Sequence, residues 1–175
     1  MLPELLIIPR LPNIETGMTA IHIKFPSLTL KAGPRAFARI RKDGLSAADV
    51  GTLPGAAGGP KALGIQGLDL ALFGEWLPAA PRERSLIGAS VGSWRFASAC
   101  LPDAAEGIRR LGHLYTEQNF AKGVTMAQIS QSSQRMLDEL LDGRDASILS
   151  NANYRLNIMV VKSHGRLADD HRDRL

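Results

Sequence analysis

Twice in this sequence a short apolar stretch runs directly into a glycine turn and then into a helical pattern. The first instance spans residues 48–77, and the second is a strand at 85–88 followed by a helix at 91–100. A third apolar stretch, 154–162, is rich in the branched residues typical of a strand. Strands that alternate with helices form parallel sheets with helices on both faces. The sequence therefore predicts an α/β fold, a three-layer α/β/α sandwich with a mostly parallel central sheet.

The composition is that of an ordinary soluble globular protein, and it argues against several classes of function. The 175 residues suffice for one domain with its own core, and 45% of them are hydrophobic. A net charge of +4 spread along the chain and an aromatic content of 5% argue against a nucleic-acid partner. Cys100 is the only cysteine, so we expect no disulfide framework, no cysteine-rich metal site and a reducing, cytoplasmic compartment. No apolar run approaches the roughly 20 residues that a membrane span needs.

The N-terminal region is predicted to be irregular. Residues 1–18 form a leader with three prolines and no periodic pattern, and Met18 is a candidate for the natural start. The domain itself is predicted to occupy 19–175 and to begin with an alternating strand at 19–25.

The segment 34–44 predicts an amphipathic helix with a basic face. Helical spacing places Arg35, Arg39 and Lys42 together, with an apolar side roughly opposite. Two interpretations are open. The helix is either a surface helix with solvated charges or a peripheral membrane contact that docks on anionic lipid headgroups.

Two longer helices are predicted to have an apolar core face. The helix after the first glycine turn begins with Pro60 at its first position and ends near Gly74 and Pro78. Its buried stripe is expected at Ile65, Leu68, Leu72 and Phe73. Thr125 and Gln128 have the spacing of a capping box at the start of another helix. The core face of that helix is expected at Met126, Ile129, Met136, Leu137, Leu140 and Leu141.

The turn at 88–92 carries the best candidate for a catalytic residue. Its sequence, Gly-Ala-Ser-Val-Gly, matches the nucleophile-elbow pattern G-x-S-x-G between a predicted strand and a predicted helix. A turn this tight brings neighbouring backbone close to Gly88 and Gly92, and it exposes the serine hydroxyl at a helix N-terminus. Ser90 is therefore a candidate nucleophile, and the alternative is a packing turn made of small residues.

The other glycine turn lies directly before a helix start. Gly58 and Gly59 are adjacent there, and adjacent glycines can present unhindered N–H groups to an oxyanion or a phosphate. Lys61 lies where a phosphate-binding P-loop has its lysine, but Pro60 and Ala62 replace the glycine and the hydroxyl residue that such a loop needs. Three interpretations stay open: an oxyanion turn, a plain helix-capping turn and, against these two departures, a nucleotide-binding turn.

Together, a Gly-Gly-x-Lys turn and a Gly-x-Ser-x-Gly elbow some thirty residues later resemble the patatin-like phospholipase family. The resemblance covers about 31–162 and includes the flanking segments AGPRAF and GLDLALFGEWL, which are similar to bacterial members. It implies a serine lipid acyl hydrolase in which Ser90 is the nucleophile. By the same resemblance Gly58 and Gly59 are the oxyanion-loop glycines, and Lys61 is the basic residue after them. It also implies a lipid ester substrate, no metal and no organic cofactor.

Three positions depart from the family's loop pattern. Ala57 stands where the family usually has its first glycine, Ala56 where it often has aspartate, and Ala62 where a last glycine is common. Alanine is small, so the loop can persist with shifted left-handed positions. If the altered loop has lost the oxyanion hole, the alternative is a non-catalytic lipid- or anion-binding module.

The base that would activate the serine has no clear counterpart. The family places an aspartate in an Asp-Gly-Gly or Asp-Gly-Ala motif well downstream, whereas the only Asp-Gly after Ser90 is Asp142-Gly143, at a predicted helix end. The resemblance therefore implies that the chain is the N-terminal part of a longer hydrolase domain whose aspartate lies beyond it. Within the chain, the alternatives are Asp142 as the base, or a triad of Ser90 with Asp142 or Asp145 and His164. His164, however, lies in a hydrophilic tail that is predicted to be solvated.

Overall fold

The computed structural model describes residues 5–7, 29–162 and 164. The chain divides into two compact units, Met1–Ser46 and Ala47–Leu175. The predicted strand at 19–25 lies outside the described residues. Within the predicted leader, Leu5–Ile7 forms a strand, so the leader is not irregular at these residues.

The described residues of the first unit form two paired strands and one helix. Strand β1 (Leu5–Ile7) pairs antiparallel with β2 (Thr29–Lys31). Helix α1 (Pro34–Asp43) begins with a proline, whose fixed φ suits a first helical position, and ends at Gly44, whose φ is 79°. Phe37 is buried, whereas Arg35, Arg39 and Lys42 are exposed, so the predicted amphipathic helix is confirmed.

The second unit contains a three-stranded parallel sheet in the order β3-β4-β5. The strands are β3 (Thr52–Gly55), β4 (Arg84–Ala89) and β5 (Tyr154–Met159). In the register, Gly55 pairs with Gly88 and Arg84 pairs with Tyr154. The predicted α/β class and the parallel sheet are therefore confirmed.

Helices form both connections between these strands. Between β3 and β4, a 3-10 helix (Gly59–Ile65) continues without a break into α2 (Gln66–Ala71) and a π-helical segment (Leu72–Trp76). Between β4 and β5 lie α3 (Val91–Ala99), α4 (Ala104–Glu117), α5 (Met126–Leu141) and α6 (Asp145–Leu149). Helix α3 packs against all three strands.

The helices of this unit bury one face of the sheet. Along β4, Arg84, Leu86 and Gly88 are buried, whereas the residues between them are partly or largely exposed. Three rings fill the core on the buried side: Phe73 packs edge-to-face against Phe96 and Tyr154, with centroid separations of 6.0 and 5.7 Å. As far as Ala47–Leu175 is described, the opposite face of β4 is only partly covered, so helical cover on both faces remains a prediction.

For the helix after the first glycine turn, the predicted buried stripe is wrong in part. Ile65 and Leu68 are 40% and 42% exposed, whereas Phe73 is buried. Ile65 ends the 3-10 helix, which has 3.0 residues per turn, so a position chosen at 3.6-residue spacing points away from the core there. The helical run ends at Trp76, between Gly74 and Pro78, so the predicted end of the helix is confirmed.

The prediction for α5 is largely confirmed. The side chain of Thr125 accepts from the N–H of Gln128, and the Gln128 side chain accepts from the N–H of Thr125, which completes a capping box. Met136 and Leu140 are buried, but Met126 at the first helical position is exposed. The first turn of the helix therefore lies outside the core.

Candidate active site

The structure brings the two glycine turns to one edge of the sheet. Because β3 and β4 are parallel and Gly55 pairs with Gly88, both strands end side by side. The Gly58-Gly59 turn leaves β3 at this edge, and the Ser90 turn leaves β4 at the same edge. We call it the carboxyl edge, and it is where open parallel sheets bind their ligands.

Ser90 lies in a strained turn with its side chain in the open. Its φ of 51° and ψ of −125° are sparsely populated by L-residues, and such a conformation costs about 1–3 kcal/mol. The residue is exposed and precedes α3, and its carbonyl oxygen accepts from the N–H of Ser93 at 2.8 Å. The hydroxyl is therefore held at a helix N-terminus, where the helix dipole favours negative charge.

The glycines on either side of Ser90 are required by crowding. A Cβ on Gly88 would lie 2.6 Å from both the Cα and the amide nitrogen of Ser93. A Cβ on Gly92 would overlap the carbonyl oxygen of Gly55 on the neighbouring strand. The predicted crowding at Gly88 and Gly92 is confirmed, and it packs the first turn of α3 against the end of β3.

The Gly58-Gly59 turn exposes backbone donors. Gly59 has a φ of 54°, which favours glycine, and Gly58 precedes the 3-10 helix. Within the described part of the chain, the N–H groups of these two residues donate no hydrogen bond. The Tyr115 hydroxyl lies 3.7 Å from the position a Cβ on Gly59 would take, so the last turn of α4 reaches this turn. Lys61 is exposed.

A buried ion pair joins the two segments behind these turns. Arg95 of α3 donates from Nε and Nη2 to the two carboxylate oxygens of Asp69 in α2, each at 2.6 Å. Only 14% of the Arg95 side chain and 3% of the Asp69 side chain are exposed. Neither residue was identified from the sequence. The available signal was the single charge in the otherwise uncharged helix 91–100.

Asp142 does not lie with Ser90. It is exposed at the C-terminus of α5, in the left-handed conformation, and faces Arg110 at 3.7 Å and Arg144 at 3.6 Å. Arg110 in turn pairs with Glu106, in the first turn of α4. Helix α3 runs about 14 Å away from Ser90 before α4 begins. Asp142 thus lies near the far end of α3, and among the described residues no hydrogen bond joins it to Ser90.

The alternative triad is not assembled in the described residues. Asp145 is exposed at the start of α6, which leads into the beginning of β5, the end of the sheet opposite the carboxyl edge. His164 is exposed, as predicted for a solvated tail. The Ser90 hydroxyl makes no hydrogen bond to any described residue.

The titratable groups with shifted pKa values belong to the opposite end of the strands, which we call the amino edge. Burial raises the pKa of the Cys100 thiol from 9.0 to about 12. Burial also raises the pKa of Tyr154, against the opposing effect of the nearby Arg84 charge. Among the described residues, no cluster of three or more His, Cys, Asp or Glu side chains is placed to bind a metal ion. None of the described helices is both long and apolar enough to span a membrane.

Comparison with known proteins adds no relative. No protein-family model matches the chain, and neither a curated protein nor a solved structure matches it. The resemblance to patatin-like phospholipases therefore depends on the residues of the two turns and their flanks. What those residues do is a matter for experiment.

Proposed function

We propose that this chain carries the nucleophile and the oxyanion hole of a serine lipid acyl hydrolase of the patatin-like type, on an α/β/α sandwich. The observation that carries the proposal is the conformation of Ser90, which is strained and exposed at the carboxyl edge. Beside it lies a turn whose N–H groups donate no hydrogen bond within the described part of the chain. A packing turn of small residues would explain the crowded glycines but not the strain at a serine.

In the proposed reaction, the Ser90 hydroxyl oxygen attacks the carbonyl carbon of a lipid ester. The carbonyl oxygen becomes an oxyanion, which accepts hydrogen bonds from the N–H groups of Gly58 and Gly59. The ester C–O bond then breaks, the alcohol leaves with a proton, and water hydrolyses the acyl-enzyme. The family resemblance assigns removal of the serine proton to an aspartate, and among the described residues no aspartate is hydrogen-bonded to Ser90.

Labelling with a fluorophosphonate probe tests the nucleophile. The probe forms a covalent bond with an activated serine, so mass spectrometry should find one adduct, on Ser90, and Ser90→Ala should abolish it. Ser93→Ala is the matched control, because Ser93 lies one turn later in α3 and its hydroxyl is buried. A folded protein that never labels would overturn the hydrolase proposal.

A non-catalytic binding module is the second candidate. It is favoured by the Ser90 hydroxyl, which lacks a hydrogen-bonded base among the described residues. This function predicts saturable binding of a short-chain anionic phospholipid that Ser90→Ala leaves intact, together with no labelling. Binding and labelling in the same preparation separate the two functions.

A further inference from the structure

We propose that the Asp69–Arg95 ion pair positions the oxyanion turn against the Ser90 turn. The inference rests on the proposed function, because it assigns the pair a task in aligning two parts of that site. It also predicts that the ion pair orders the backbone of the oxyanion turn, whether or not Ser90 reacts.

The chain connects each partner of the pair directly to one turn. Arg95 is one helical turn after Val91, the residue that follows Ser90. Asp69 lies in α2, which continues from the 3-10 helix that begins at Gly59. A rigid link between Arg95 and Asp69 therefore fixes the helix behind the oxyanion turn relative to the helix behind Ser90.

The geometry of the pair suits a positioning role. Both contacts are 2.6 Å long and use two nitrogens of one planar guanidinium, so the link defines an orientation as well as a distance. A small cavity lies at the pair, lined by Ala62, Leu63 and Val91 among others. Side-chain packing between the 3-10 helix and α3 is thus incomplete at this point, and the ion pair spans the gap.

A second link ties the same segment to α4. The Gln66 side-chain amide donates to the carbonyl oxygen of Ile108 at 2.9 Å. A Cβ on Gly112 would overlap that amide, so α4 is shaped to receive it. Gln66 anchors the end of the 3-10 helix to α4, whereas Asp69 anchors its continuation to α3. Only the Asp69 link reaches the helix that carries Ser90.

The kinetic test compares three variants with the wild type. Arg95→Met and Asp69→Asn remove the bidentate link, and Arg95→Lys keeps the charge but not the paired geometry. Because a displacement of about 1 Å at a reacting centre costs about 100-fold in rate, we expect the maximal fluorophosphonate rate to fall about 100-fold in Arg95→Met. Arg95→Lys should recover part of that loss, and the concentration for half-maximal rate should change little.

Two controls separate positioning from general destabilisation. Arg155→Met removes an ion pair with Glu83 that is largely exposed, so its labelling rate should equal that of the wild type. Leu140→Val lowers stability through the fully buried Leu140 of α5, away from both turns. If Leu140→Val, matched in melting temperature to Arg95→Met, labels as slowly as Arg95→Met does, the pair is structural and the proposal is overturned.

Hydrogen exchange gives a readout that does not depend on activity. We expect the hydrogen-bonded amides of residues 61–65, in the 3-10 helix behind the turn, to exchange at least about 10-fold faster in Arg95→Met, while β4 and α5 keep their protection. Unchanged exchange in 61–65 would overturn the positioning proposal by itself. A wild type that never labels would overturn the proposed function, and the exchange experiment would still decide whether the pair orders the turn.

Discussion

The two edges of the sheet are built on different principles. At the carboxyl edge, Gly88 and Gly92 let backbone segments touch, and Ser90 adopts a strained conformation. The N–H groups of the Gly58-Gly59 turn donate no hydrogen bond to any residue that the structure describes. At the amino edge, large side chains are buried and the backbone groups around them are hydrogen-bonded.

Arg84 is the centre of the amino edge. Its guanidinium is buried, and it donates to the carbonyl oxygens of Val50, Ala47 and Ala80 at 2.8–3.0 Å. Nearby, the Asn151 amide donates to the Cys100 carbonyl at 2.9 Å. Side-chain hydrogen bonds hold the loops at the amino edge. At the carboxyl edge, close contacts between backbone segments determine the structure. Stability should therefore respond to side-chain changes at the amino edge and to single added methyl groups at the carboxyl edge.

The largest expected effect is the loss of Arg84. Arg84→Met should lower the free energy of unfolding by about 4 kcal/mol, because one buried and two part-buried carbonyl groups lose their donor. Urea denaturation measures the change. Arg82→Met is the control: Arg82 also donates to a carbonyl, that of Ala48, but at an exposed site, so it should cost less than about 1 kcal/mol. Equal losses for the two variants would contradict a side-chain-built amino edge.

The next largest effect should come from one methyl group at the carboxyl edge. Gly92→Ala should cost about 3 kcal/mol, because its Cβ overlaps the Gly55 carbonyl and two backbones must separate. Gly67→Ala is the matched control within α2, where nothing lies within 4 Å of the added Cβ. That variant should gain up to about 1 kcal/mol from helix propensity. If the melting temperatures of the two variants shift equally, the turn has room for an added methyl group at Gly92.

The carboxyl edge could be predicted from the sequence because its features are local. The G-x-S-x-G pattern spans five residues, and the crowding at Gly88 comes from Ser93 in the same turn, whereas Gly92 is crowded by Gly55 of the neighbouring strand. The capping box at Thr125 was equally local. The register that places the Gly58-Gly59 turn beside Ser90 followed from parallel strands.

The contacts that could not be predicted join residues that are distant in the sequence. Arg84 reaches back 37 residues to Ala47, and Arg95 reaches back 26 to Asp69. A sequence pattern that assigns charged residues to the surface cannot show that Arg84 or Arg95 turns inward to a partner. The misplaced stripe at Ile65 had a different cause, because the 3-10 helix has another period than the one assumed.

Alkaline pH should weaken the amino edge in particular. The unfolded Cys100 thiol ionises near pH 9, whereas burial raises its folded pKa to about 12, so above pH 9 the unfolded state loses a proton that the folded state keeps. The free energy of unfolding should fall by about 1.4 kcal/mol per pH unit between pH 9 and 12 from this group. In urea denaturation at a series of pH values, Cys100→Ala should reduce this decrease in the free energy of unfolding by about 1.4 kcal/mol per pH unit. An identical pH dependence in both proteins would show that the thiol is not shielded.

The smallest expected effect tests the strain that distinguishes the carboxyl edge. Ser90→Gly relieves about 1–3 kcal/mol of backbone strain, while glycine adds about 0.5–1 kcal/mol of entropy to the unfolded chain. The free energy of unfolding should therefore rise by about 1 kcal/mol as labelling is lost. Ser90→Ala is the control, because alanine keeps the positive φ of 51° and should bring no such gain. If Ser90→Gly is no more stable than Ser90→Ala, the turn stores no strain and the packing-turn interpretation of Ser90 gains ground.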